Sequence, residues 1–165
     1  MVKQHNIKLT IKNSTPFAMT FISNWFDSGR VADQFSWPKE ILSNETQTIL
    51  CYERDWAMSG CSGYVQYLMN GSLVTIGFSN PSVGTNKLGV SAGVDGKQFW
   101  EVIESKDYQE VNQNIKVGGK DVLVTSKCTG GTTNDANILF ISNQKPNNQA
   151  FPPPYSNNIY PPPSY

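Results

Sequence analysis

The dipeptide Asn70-Gly71 constrains this chain more than any other feature of its sequence. It separates Tyr64-Val65-Gln66-Tyr67-Leu68-Met69 from Ser72-Leu73-Val74-Thr75-Ile76-Gly77-Phe78. Asn-Gly accepts the left-handed backbone at both central positions of a two-residue hairpin turn, so the flanking runs must be adjacent antiparallel strands. The rest of the chain agrees. In Asn6-Ile7-Lys8-Leu9-Thr10-Ile11-Lys12 the apolar residues Ile7, Leu9 and Ile11 alternate with polar ones, the pattern of a strand with one wet face. Further β-rich runs extend over Phe17–Phe26, Gln47–Trp56, Asp121–Lys127 after Gly118-Gly119, and Ala136–Ser142 after Thr129-Gly130-Gly131-Thr132. Asp95-Gly96 repeats the turn signal and predicts a second hairpin between Leu88–Val94 and Lys97–Ile103. With no long segment of period 3.6, the expected fold class is all-β, an antiparallel β-sandwich with at most one or two short helices, one of them near Asp107–Gln113.

Composition changes at Asn143. Residues 1–142 are expected to form the β domain, and residues 143–165 a disordered tail with seven prolines, five asparagines and one charged residue. The tail carries Pro-Pro-x-Tyr twice, at Pro152-Pro153-Pro154-Tyr155 and Pro162-Pro163-Ser164-Tyr165. Polyproline II with a tyrosine anchor suits a WW-type groove, so Pro152, Pro153, Tyr155, Pro162, Pro163 and Tyr165 are candidate partner-binding residues. A solubilising tail is the plainer reading of the same residues.

Charge and chemistry exclude several classes. Thirteen basic residues balance thirteen acidic ones, which gives no electrostatic footprint for nucleic acid. No secretory signal is evident and no segment has the apolar length to span a bilayer, which predicts a cytoplasmic or peripheral-membrane protein, or one secreted by an unconventional route. The three cysteines, Cys51, Cys61 and Cys128, lack metal-site spacing and read as buried or free thiols. The only histidine, His5, lies in the first residues, so a histidine-based triad is not expected. Ser59-Gly60-Cys61-Ser62-Gly63 reads as a turn before a strand, and Glu101 and Glu104 as solvated strand acids. No enzyme activity, metal or cofactor is expected. Trp25, Trp37, Trp56, Trp100, Tyr52, Tyr64 and Tyr67 give more amphipathic rings than a small core requires. Half or more should fill the sandwich, leaving a few in loops where such rings stack on sugars or lie at headgroup level.

Gly60-Cys61-Ser62-Gly63-Tyr64-Val65, Tyr67-Leu68-Met69, Leu73–Pro81 ending Phe78-Ser79-Asn80-Pro81, and Asn86-Lys87 together resemble the actinoporins. Gly119–Thr125 and Asn134–Ile141 are similar to the last hairpin of that family and of the fungal fruit-body lectins. The resemblance implies their shared cytolysin/lectin β-sandwich. It also implies recognition of a membrane-lipid headgroup or a cell-surface glycan at the Phe-Ser-x-Pro strand end, the loop after it and a later aromatic segment. Ser79, Pro81, Asn86 and Trp100 are the site residues carried over, with Tyr64 and Tyr67 as weaker ones. The loop Ser82–Asn86 lacks the family's aromatics, and Phe99-Trp100-Glu101 stands where the family has a tyrosine cluster. Actinoporins insert an amphipathic helix that precedes the first strand, whereas about six residues precede it here. The expectation is therefore a recognition module without that pore-forming piece, with pore formation through another segment and association into a homo-oligomer left open. The alternatives are an intracellular adaptor acting through the Pro-Pro-x-Tyr tail and an aegerolysin-like lipid sensor.

Overall fold

The structure, a computed structural model, describes residues 3–106 and 110–142. The Pro-Pro-x-Tyr segment lies outside the described residues. β1 (Asn6–Ser14), β3 (Arg30–Val31), β5 (Glu45–Tyr52), β9 (Glu110–Val117), β10 (Lys120–Lys127) and β11 (Thr133–Ser142) form a six-stranded sheet in the order β3-β5-β1-β11-β10-β9. β2 (Met19–Ser28), β4 (Glu40–Ile41), β6 (Gly60–Met69), β7 (Ser72–Pro81) and β8 (Lys87–Ala92) form a five-stranded sheet in the order β4-β2-β6-β7-β8. All pairings are antiparallel except that of β1 with β11.

Alternation sets the register across that parallel seam. Ile7, Leu9 and Ile11 lie opposite Asn134, Ala136 and Ile138, and all six are buried. A one-residue slip would turn both sets to solvent, which makes the register costly to change. The inner faces meet in one core, where Trp37 and Phe78 pack with ring centroids 5.9 Å apart beside Val65, Ile76 and Phe140. Tyr67 is fully buried in this core and its hydroxyl donates to Pro38 O at 3.1 Å. Burial pushes its phenol well above the usual tyrosine range.

The tight turns form as the sequence indicates. Asn70 and Gly71 are both left-handed, with φ of 47° and 78°, and β6 and β7 pair from Met69↔Ser72 to Gly60↔Pro81. Asp95-Gly96, however, does not open a hairpin. Residues Gly96–Glu104 form the helix α1, and the Asp95 side chain caps it by accepting from Gln98 N at 3.0 Å. The expected strand over Lys97–Ile103 is thus corrected to helix, and Glu101 and Glu104 lie on that helix. The helix expected near Asp107–Gln113 is corrected as well, since β9 begins at Glu110; residues 107–109 lie outside the described residues.

The seat for α1 explains the outcome. Gly77 and Gly89 are paired on β7 and β8 and leave a shelf without side chains on the outer face of the five-stranded sheet. Ile103 and Phe99 fill it: a Cβ on Gly77 would lie 2.6 Å from Ile103 Cδ1, and one on Gly89 would lie 3.1 Å from Phe99 Cζ. Burying Ile103 on this shelf contributes on the order of 2 kcal/mol. That packing, together with the cap, outweighs the hairpin preference of Asp-Gly. Lys87 Nζ, itself buried, donates to Glu104 O at the last turn of the helix, where the backbone dipole favours a cation.

Candidate functional site

The two ends of the sandwich differ. At one end β6 and β7 close through Asn70-Gly71 and β9 and β10 through Gly118-Gly119. From the other end emerge the longer connections 53–59, 82–86 and 128–132. Three buried asparagine side chains hold this second end together. Asn80 Nδ2 donates to Asn6 O at 2.8 Å and Thr132 O at 2.9 Å. Asn86 Nδ2 reaches Thr129 O at 2.6 Å and Gly131 O at 3.1 Å. Asn134 Nδ2 donates to Ser79 O at 2.9 Å and Lys87 O at 3.3 Å. Backbone carbonyls of the 128–132 loop and of the strand ends are thereby bonded across the two sheets, with Thr132 O accepting from Asn6 N at 2.9 Å as well.

Above these bridges lies an open cleft of about 310 Å³, lined by His5, Asn80, Pro81, Gly84, Thr85, Asn86, Gly130, Gly131 and Thr132. Its walls are amide, hydroxyl, imidazole and glycine backbone, with a proline ring at one side. Among the described residues no lysine, arginine or carboxylate lines it.

His5 is held from behind. Its Nδ1 lies 2.7 Å from Glu53 Oε2, and the other carboxylate oxygen of Glu53 accepts from Gln4 N at 2.9 Å. Burial pushes the Glu53 carboxyl up. The His5 hydrogen bond, the Gln4 amide and the charges of His5 and Lys3 overcome that and hold it below the usual carboxylate range. An ionised carboxylate only accepts, so Nδ1 carries the proton and Nε2 is the ring nitrogen left for the cleft. His5 is thus the site residue that sequence reasoning missed. Its position near the start of the chain suggested fraying, and its only signal was Glu53, a distant acid at the end of β5.

Of the residues carried over from the resemblance, Pro81 and Asn86 come together in this cleft. Asn86 commits its amide group to loop carbonyls, so it positions the site. Ser79 is fully buried one strand position inside, its hydroxyl without a hydrogen-bond partner among the described residues, and its side chain does not reach the surface. Tyr67 is a core residue, as above, and makes no surface contact. Tyr64 and Trp100 meet elsewhere, on the outer face of the five-stranded sheet. There Trp25 stacks on Tyr64 at 5.7 Å and meets Trp100 edge-on at 5.2 Å, with Lys97 Nζ 5.7 Å from the Trp25 centroid. These rings seat α1, and none of them lines the cleft.

Trp56 is the tryptophan that the fold leaves out. It is 86% exposed, Met58 on the same loop is 76% exposed and Val83 on the 82–86 loop is 89% exposed. Because Gly60 pairs with Pro81, both loops leave the sandwich at the cleft end. Trp56 and Met58 also hold left-handed backbone, with φ of 62° and 44°, which is unusual for large side chains.

The three cysteines are free and buried. Burial pushes the thiols of Cys61 and Cys128 up to about 12 and about 11, and that of Cys51 well above its ordinary value. Such thiols are poor nucleophiles. Among the described residues no group of three His, Cys, Asp or Glu is placed to hold a metal ion, and no helix is long and apolar enough to cross a membrane.

Neither the protein-family models nor the curated proteins contain a match to this chain. Solved structures do resemble it. The lipid-binding protein Nakanori superposes with a TM-score of 0.73 at 16% identity, over 86% of this chain and 72% of its own. The lectin XCL of Xerocomus chrysenteron gives a TM-score of 0.59 at 14% identity, over 82% and 98%. IP-1A from Alcaligenes faecalis gives 0.54 at 14% identity, over 86% and 94%. The chain shares the two-sheet β-sandwich architecture of these structures. Identities this low speak for the architecture alone, so what the site does must be argued from its own residues.

Proposed function

We propose that this domain is a non-catalytic binding module that takes the polar headgroup of a membrane lipid, or the equivalent part of a cell-surface glycan, in the cleft between Pro81, Thr85, Thr132 and His5. The observation that carries this reading is the coincidence, at one end of the sandwich, of a concave polar cleft and exposed apolar loop tips. A cleft of amide, hydroxyl and glycine groups offers hydrogen bonds to a polar ligand. Trp56, Met58 and Val83 beside it give the apolar contact that a headgroup-level binder needs, tryptophan being the side chain best suited to that interface. Nakanori is a lipid-binding protein and XCL a lectin, which supports the same two ligand classes for this architecture.

Thr85→Gln with Thr132→Gln fills the cleft without adding charge. Co-sedimentation with vesicles of varied headgroup, run beside binding to immobilised glycans, should show the wild type bound and this variant reduced at least tenfold. Trp56→Ser with Met58→Ser should weaken vesicle binding and leave glycan binding unchanged. Equal binding by the wild type and the filled cleft would refute the reading. Dye release measured on the same vesicles reports whether binding proceeds to pores. The two Pro-Pro-x-Tyr segments support a second, partner-recruiting role on sequence alone, and deletion of residues 143–165 should abolish capture by a WW domain while leaving the cleft's binding intact.

A further inference from the structure

The cleft contains one side chain whose hydrogen-bonding sense is set by the fold. Asn80 and Asn86 spend their amide hydrogens on backbone carbonyls, and the hydroxyl of Thr132 donates or accepts as a ligand requires. His5 differs. Glu53 is 7% exposed, kept ionised by its surroundings, and occupies Nδ1. In its neutral form the imidazole therefore carries its lone pair at Nε2, with nothing to donate there.

We propose that His5, oriented by Glu53, is the specificity-determining residue of the cleft, and that it selects an uncharged ring bearing hydroxyls, the chemistry of a sugar or of the inositol ring of a headgroup. This rests on the cleft being the binding site. A ligand group that only accepts, such as a phosphocholine headgroup, would leave Nε2 desolvated and unpaired. Among the described residues a phosphate finds no lysine or arginine on the walls, and an ammonium group finds no carboxylate there to offset its desolvation. A hydroxyl donates to Nε2 and accepts from a threonine at the same time, while the Pro81 ring and the glycine backbone leave room for the flat C–H face of a ring. The charged groups around His5 are Glu53, with Lys3 acting on it and Asp55 paired to Lys3; the cleft lining adds no other titratable side chain.

The probes are phosphatidylcholine vesicles alone or doped with galactosylceramide, phosphatidylinositol or phosphatidylethanolamine, together with free methyl galactoside and myo-inositol as competitors. The full chain should bind a hydroxyl-bearing vesicle in preference to phosphatidylcholine alone. His5→Phe should weaken that binding about tenfold, the loss of one well-formed hydrogen bond. His5→Phe with Glu53→Gln removes the stranded carboxylate, so it should bind as weakly as His5→Phe while melting close to the wild type. His5→Gln, which keeps an acceptor, should recover part of the affinity. Competition by the free sugar or inositol identifies a headgroup that is read without its bilayer, and binding to the doped vesicles alone identifies a glycolipid or inositol lipid read at the membrane. Preference for phosphatidylethanolamine, equal binding to phosphatidylcholine alone, or unchanged binding by the folded double variant would overturn the proposal. If the filled cleft of Thr85→Gln/Thr132→Gln loses binding while His5→Phe does not, the cleft reading stands and the role of His5 falls. If neither variant loses binding, both fall.

Discussion

The two ends of this sandwich solve the same problem by different means. At the tight-turn end the chain reverses within Asn70-Gly71 and Gly118-Gly119, and left-handed residues let neighbouring strands pair up to the turn. The two turns brace each other locally, with Asn70 Nδ2 donating to Val117 O at 3.1 Å and Gly118 N to Ser72 Oγ at 2.9 Å. At the cleft end longer loops join the strands, and the buried side chains of Asn80, Asn86 and Asn134 reach across to bond backbone carbonyls of the 128–132 loop and of the facing strands. Turn chemistry closes one end and leaves nothing over. Side-chain bridging holds the other end open, and what it frames is a polar hollow edged by exposed tryptophan, methionine and valine.

Substitutions at the two ends should therefore differ in size. Asn80→Ala removes two hydrogen bonds from a buried side chain, to Asn6 O and Thr132 O, and leaves a cavity there, and should lower stability by about 3 kcal/mol, read from urea denaturation. Gly71→Ala strains a left-handed turn position that is open to solvent and meets no other atom, and should cost only about 1 kcal/mol. If the two losses were equal, or reversed, the asparagine bridges would not be what holds the cleft end.

A smaller effect separates the ends by pH. Glu53 titrates below its ordinary value of 4.5 in the folded protein, so its contribution to stability is complete above that pH and is lost as pH falls through the folded value. Urea midpoints taken from pH 6 down to pH 3 should fall more steeply for the wild type than for Glu53→Gln. At the tight-turn end the ion pair of Lys116 with Asp121 is exposed on both sides, and Asp121→Asn should leave the pH profile nearly unchanged.

The same contrast explains what the sequence made legible. Asn70-Gly71 and the alternation of Ile7, Leu9 and Ile11 are local signals, and they placed strands, turns and buried faces. Asp95-Gly96 is local too, but it has two outlets. Asp95 with Gln98 three residues on, followed by Phe99 and Ile103 four apart, is also a helix start with an apolar stripe. The deciding factor was the shelf of Gly77 and Gly89, formed only when β7 pairs with β8. The cleft was less legible because its parts are distant in sequence. Asn80 bonds residues 74 positions before and 52 after it, and His5 meets Glu53 across 48. Motif matching picked out Pro81 and Asn86, which line the cleft, yet it also drew in Ser79 and Tyr67, whose side chains are buried, and Trp100, which lies on α1 and meets Trp25.

Amide chemical-shift mapping on titration with bicelles that carry galactosylceramide or phosphatidylinositol tests the central claim most directly, because it locates the bound ligand on one end or the other. The account predicts shifts confined to residues 4–6, 53–59, 80–86 and 129–133, with the signals of Asn70, Gly71, Gly118 and Gly119 unmoved. Shifts at the tight turns or along the outer face of the six-stranded sheet, with the cleft loops silent, would contradict it.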